Sequence, residues 1–300
     1  MRPEDRAIDT PISLAIARPR WRAYVELTKP RVVALMVFTV VVGMLLSTRA
    51  AVPWRVLLFG PLGIGLVAAS AAALNHLVDR RIDALMIRTR ARPLPRGALQ
   101  CRDVALFAGL TGGSGMALLL AFTNPLCAVL TFASLLGYAV VYSLVLKRLT
   151  PQNIVIGGAA GAAPPLLGWV AVTGQVDVGA LVLFLIVLVW TPPHFWALAI
   201  HRRDDYARAG IPMLPVTHGV ALTSRRILQY SVVLGLTSLL PFLIGMSGWP
   251  YLVVAIPLGT AFIALAWRLC GDMRLAMPTF RYSIVYLSAL FAALLADHYV

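Results

Sequence analysis

The sequence predicts an all-α fold: a polytopic membrane protein of nine transmembrane helices, amino terminus inside and carboxyl terminus outside. Three observations predict it. Of the 300 residues, 60% are hydrophobic and only 13% charged, with a mean hydropathy of +0.83, whereas about a quarter of a soluble domain is charged. Nine apolar runs reach the ~20 residues needed to cross a bilayer. When the connections are assigned alternately inside and outside, all but Arg49 and Arg55 of the 26 Lys and Arg residues fall on one side, the side that cytoplasmic loops occupy. An even number of spans would destroy that alternation.

In chain order the runs cover residues 30–48, 54–78, 104–122, 125–145, 153–173, 178–200, 227–247, 249–267 and 280–297. The first follows Lys29-Pro30-Arg31. The second and third carry Gly63, Gly65 and the glycines between Gly109 and Gly115, read as helix-packing positions. The fifth contains Gly157-Gly158-Ala159-Ala160-Gly161-Ala162-Ala163-Pro164-Pro165: its small residues permit close helix approach, and its prolines can kink or break the helix. The sixth ends on Trp190-Thr191-Pro192-Pro193-His194-Phe195-Trp196, and the last three are plainer apolar runs. The two long polar connections, 79–103 and 201–226, follow the second and sixth runs on the same side. That repeat at four helices suggests a duplicated four-helix unit plus one more, an arrangement transporters also use. Residues 1–26 read as a cytoplasmic tail preceding one domain, 27–300.

Composition also excludes functions. The net charge of +14 does not indicate nucleic acid, because the basic residues punctuate apolar runs and form no continuous basic surface. Cys101, Cys127 and Cys270 are isolated and odd in number, which suits neither a disulfide framework nor a zinc site. No Gly-x4-Gly-Lys phosphate loop is present.

Chemistry concentrates where the second run ends. Asn75, Asp79 and Asp83 are spaced by four residues, so on a helix they share one face, with only about 40° of drift per step. Their oxygens suit a hard divalent cation such as magnesium, which combines one or two carboxylates with substrate phosphates. Arg88 and Arg92 just beyond can neutralise phosphate through paired hydrogen bonds. Asp79 or Asp83 alone reads equally well as an ordinary juxtamembrane charge; the whole set points to a cytoplasm-facing active cavity that binds a metal and a diphosphate. A second polar constellation follows the sixth run: His201, Arg202, Arg203, Asp204, Asp205 and Tyr206. Asp205 is the stronger candidate for a further metal-binding oxygen, with Asp204 balancing Arg202 or Arg203. His194, about two turns inside an apolar helix, either faces a cavity or satisfies an interhelical hydrogen bond. Lys147 and Arg148 can reach phosphate or simply set topology.

These stretches, with Thr28-Lys29-Pro30-Arg31, Met86-Ile87-Arg88-Thr89, Tyr142 through Thr150, Asn153 through Gly158 and Asp205-Tyr206 through Val216, resemble the intramembrane aromatic prenyltransferases over nearly the whole chain after the first ~20 residues. Thr-Pro-Pro-His-Phe-Trp and Ile-Pro-Met-Leu-Pro-Val are similar to the haem-prenylating branch. Many relatives carry a second Asp-x3-Asp after helix six. Here Arg202 and Tyr206 occupy those positions, as in the haem branch, so Arg202 or Arg203 takes the place of a second metal. The resemblance implies Mg2+ as cofactor, and farnesyl diphosphate and haem B as substrates. The implied reaction moves the farnesyl group to a vinyl group with addition of water, giving haem O. It implies metal contacts from Asn75, Asp79, Asp83 and Asp205, and substrate contacts from Lys29, Arg31, Lys147, Arg148, His194, Arg202, Arg203, Asp205 and Tyr206. It also implies the cell inner membrane and a haem-handling or haem A synthase partner. Alternatives at this stage are a quinone or chlorophyll-type acceptor, or a transporter, although a transporter gathers its polar groups near the bilayer midplane.

Overall fold

A computed structural model describes residues 19–300, with the exception of the Arg148 side chain; residues 1–18 of the expected tail lie outside the described residues. Among these residues the chain is all-helical, without strands. A short helix α1 (Arg20–Leu27) buries Ala23 and Leu27 and meets α2 (Pro30–Leu46) at a 46° bend. Eight further helices follow: α3 (Trp54–Leu85), α4 (Cys101–Phe122), α5 (Pro125–Leu136), α6 (Asn153–Thr173), α7 (Val178–His201), α8 (Gly219–Thr237), α9 (Trp249–Gly271) and α10 (Ala276–His298). From α3 onward, eight are long and apolar enough to span a membrane, α5 together with the π-helical turns that extend it, and α1 with α2 makes a ninth as a bent pair.

Two boundaries differ from expectation. The second run does not give way to a loop at residue 79: α3 continues for 32 residues, through Leu85. At 1.5 Å per residue that is about 48 Å, more than the ~30 Å hydrocarbon core requires, and Asp79 and Asp83 lie on its last two turns. Likewise α8 begins at Gly219, not 227, with Arg225 and Arg226 exposed on its first turns. Helical hydrogen bonding is satisfied within the segment and does not require an apolar sequence, so charged turns extend a span without a hydropathy signal.

Helices α3, α6 and α7 are the most buried of the spans. Small residues let them meet their neighbours closely. A Cβ at Gly43 of α2 would collide with the Pro165 carbonyl of α6, and one at Gly168 with the Val40 carbonyl. Helix α6 runs unbroken through Pro164 and Pro165. Gly63 of α3 faces Gly115 and Leu119 of α4, and Ser70 Oγ donates to the Ala108 carbonyl at 2.7 Å. Helix α5, capped by the Asn124 side chain accepting from the Cys127 N–H at 2.9 Å, passes into a ten-residue π-helix, Gly137–Leu146. Such turns are rare and recur at functional sites.

Candidate active site

The extension of α3 buries all three residues of its four-spaced series: Asn75, Asp79 and Asp83 are at most 4% exposed. Buried carboxylates require partners; two cations supply them here, and a third basic residue meets the carboxamide. Lys147, which follows the π-helix, places Nζ 2.5 Å from Asp79 Oδ2. Arg92 places one guanidinium nitrogen 2.9 Å from Asp83 Oδ1 and 2.8 Å from Oδ2. Lys29 donates to Asn75 Oδ1 at 2.6 Å. Lys29 stands at the α1–α2 bend with φ 50° and ψ 59°, the only non-glycine residue at positive φ among those described. Held strain of this kind clusters where geometry is functional.

The Asn75 carboxamide joins the groups. Its Nδ2 donates to Asp79 Oδ2 at 2.8 Å and to Ser143 Oγ at 3.1 Å, while Ser143 donates to the Tyr138 carbonyl at 2.9 Å. The π-helix sets Ser143 five residues beyond Tyr138 and Lys147 four beyond Ser143, which directs all three toward α3. The three oxygens of the series do not converge on one point: Asn75 and Asp79 touch each other, whereas Asp83 turns to Arg92. Arg92, expected on phosphate, holds this carboxylate instead. In this knot Asp79 and Asp83 are each matched by a cation, and Lys29 adds a basic group with no carboxylate of its own, a setting suited to a polyanion.

Asp205 lies across from this knot in a short helix, Arg203–Arg208. Its Oδ1 accepts the Ile87 N–H at 3.3 Å and an Arg208 guanidinium N–H at 2.8 Å, so it fastens the segment after α7 to the segment after α3. The Arg208 bond, with backbone N–H groups of Ile87 and Arg88 and against the opposing effect of burial, holds its carboxyl below the usual carboxylate range. Tyr206 is buried, and that burial keeps its phenol above the usual range, offset in part by Arg88 and Arg92. Arg88, Arg203 and Arg31 are exposed, and Arg202 is half-buried with its Nε unpartnered. Asp204 is exposed. Arg148 belongs to the short helix Lys147–Leu149, its side chain outside the description.

A cavity of about 580 Å3 is lined by Lys29, Arg31, Tyr138, Tyr142, Trp190, His194 and Phe280 among others. Most of its walls are aliphatic or aromatic. Sequence reading missed Ser143, Tyr138, Arg208 and Ser283, which contacts His194. A hydroxyl inside an apolar run carries no signal unless the π-register that aims it is known.

The fold and this polar mouth over a lipid-embedded cavity define an intramembrane prenyltransferase class of protein. The chain belongs to the UbiA prenyltransferase family, which it matches over residues 36–294. It is 62% identical over 282 residues, 93% of each chain, to the protoheme IX farnesyltransferase of Thioalkalivibrio sulfidiphilus. It superposes with TM-score 0.78 and 20% identity on a structure described as digeranylgeranylglyceryl phosphate synthase in membranes, covering 93% of this chain and 99% of that one. A UbiA homologue from Archaeoglobus fulgidus bound to DMAPP and Mg2+ gives TM-score 0.62 and 17% identity, covering 90% and 98%.

Proposed function

We propose that the chain transfers the farnesyl group of farnesyl diphosphate to a vinyl group of haem B with addition of water, giving haem O. One observation carries this reading: one cavity is lined both by the basic residues Lys29 and Arg31 and by Trp190, His194 and Phe280, in a chain 62% identical to a protoheme IX farnesyltransferase. A charged mouth suits the diphosphate, and apolar depth suits an isoprenoid and a porphyrin.

The donor set at the mouth fits Mg2+. Asp79 Oδ1 and Asp205 Oδ2 are buried carboxylate oxygens without a donor among the described residues, and hard cations take oxygen ligands. Asp79 and Asp205 would hold the ion through these oxygens, joined by Asn75 and Asp83 once the diphosphate draws Lys29 and Arg92 away from them, and the ion would supply charge neutralisation at the departing diphosphate. Arg88, with Lys29, Lys147 and Arg92 as the diphosphate draws them from Asn75, Asp79 and Asp83, would favour the transition state, in which negative charge grows on the leaving group as the C1–O bond stretches. The vinyl carbon bonds to C1 as diphosphate leaves, and water then adds to the cation next to the porphyrin and gives up a proton. Tyr138, Tyr142 and the aliphatic wall keep other water from the allylic carbon.

The same reading places the amino terminus, the mouth and the basic connections on the cytoplasmic side of the inner membrane. Residues 27–300 then act as one domain after a tail, and a haem-handling partner receives the product. Incubation of the purified chain with haem B and farnesyl diphosphate, with and without Mg2+, tests the assignment by chromatography and mass. Magnesium-dependent gain of a farnesyl group and water on the haem is expected. Unchanged haem, or prenylation of a quinone precursor in its place, overturns it.

A further inference from the structure

We propose that Nε2 of His194 is the axial ligand to the iron of the porphyrin substrate; the inference rests on the haem reading and adds the point of attachment. The tautomer of His194 can be deduced from its neighbours. Ser283 Oγ donates to the Phe280 carbonyl at 2.6 Å, and a hydroxyl has one proton to give. The 2.7 Å contact between Ser283 Oγ and His194 Nδ1 is therefore donated by Nδ1–H. Nε2 is left as a bare lone pair, with no hydrogen-bond partner among the described residues, on a side chain that lines the cavity.

The ring is also fixed in direction. It is stacked between Trp190, 4.2 Å away and 21° from parallel, and Phe280, 4.5 Å away and 29° from parallel. Trp190 Nε1 donates to the Ser283 carbonyl at 2.7 Å, so one serine orients both the imidazole and a ring beside it. Metal-binding histidines have this arrangement: the far nitrogen donates to an oxygen, which sets the tautomer, aims the ring and raises the basicity of the near nitrogen. Around it the cavity wall is formed by Trp190, Thr191, Phe195, Phe280 and Ile284, none of which is a comparable iron ligand. His194 precedes Arg202 by eight residues, about 12 Å along the helix axis, and the residues beside it that line the cavity are mainly apolar, which suits a porphyrin face. Coordination gives the Nε2 lone pair to iron; no proton or electron is transferred.

The test compares haem B with iron-free protoporphyrin IX on the full-length chain in detergent. Wild type is expected to bind haem B about tenfold tighter than the iron-free ring, the scale of an oriented ligand's contribution, with an imidazole-ligated absorption and resonance Raman signature. In His194→Gly the preference and signature should vanish and return with added imidazole. Ser283→Ala, which keeps the histidine, should lower haem affinity and leave protoporphyrin IX binding unchanged. Equal binding of the two porphyrins by wild type, or an unaltered signature in His194→Gly, overturns iron ligation and leaves the haem reading standing. Failure of wild type to bind either porphyrin overturns both.

Discussion

Arg92 reaches back nine residues to Asp83 and sets one guanidinium nitrogen within 2.9 Å of both carboxylate oxygens, tying the loop after α3 to the helix that precedes it. The pair is nearly out of water, with the two side chains 17% and 3% exposed. Removing one partner of a buried pair leaves the other uncompensated, at a cost of about 3–5 kcal/mol. Arg92→Ala should therefore lower turnover and raise amide exchange in the 86–98 loop. Arg92→Lys should restore part of the loss, because one nitrogen makes both contacts and an ammonium can do the same as far as its shorter stem reaches. Normal loop protection in Arg92→Ala would show that the pair does not hold the loop.

Asp79 and Lys147 meet at 2.5 Å between α3 and the end of the π-helix. Asp79→Asn should sharply reduce farnesyl transfer and also lower the melting temperature in detergent, since the amide keeps the shape but leaves the largely buried Lys147 ammonium without its countercharge. Lys147→Met should raise KM for farnesyl diphosphate. The double variant should fall short of the summed losses by about 0.5–3 kcal/mol, the coupling expected of groups in contact. Strict additivity would mean that the two residues act on separate steps.

Much of this was legible in the sequence, and the failures have physical causes. The four-residue spacing of Asn75, Asp79 and Asp83 identified a common helix face because side-chain direction follows helical period. The end of α3 was placed too early because hydropathy reports contact with lipid, not helical hydrogen bonding. Which cation meets which carboxylate was illegible: Lys29 and Lys147 lie 46 and 68 residues from their partners, and an inserted π-turn rotates everything beyond it. The close approach at Gly43 and Gly168 was equally hidden, because a glycine in an apolar run does not name the backbone it faces.

Asp205 joins the connection after α7 to the connection after α3 through the Ile87 N–H. Asp205→Asn should loosen both the 86–98 and 202–213 segments in amide exchange and raise KM for the diphosphate substrate. The carboxyl is held below the usual carboxylate range, so its contribution is present above the unfolded pKa of about 4. It is lost only as the pH falls through the lower, folded value. Loop protection should thus be level from neutral to mildly acidic pH and fall only below it. A fall centred between pH 6 and 8 would assign the effect to another group.

Helices α2 and α6 approach so closely that a methyl group at Gly43 or Gly168 would overlap a carbonyl of the opposite helix. Backbone cannot rotate aside as a side chain does, so the helices must part. Helix α2 begins beside Lys29 and lines the cavity with Val33, Met36 and Thr39, so parting it moves the mouth as well as the packing. Gly43→Ala should lower stability by about 1–3 kcal/mol, the usual cost of overpacking, and reduce kcat. Gly109 of α4 has no atom within 4 Å of an added Cβ, and Gly109→Ala should be neutral or stabilise by up to ~1 kcal/mol through helix propensity. Thermal melting of the two variants in the same detergent separates the effects. Equal shifts would mean that loss of glycine, and not the α2–α6 contact, governs the response.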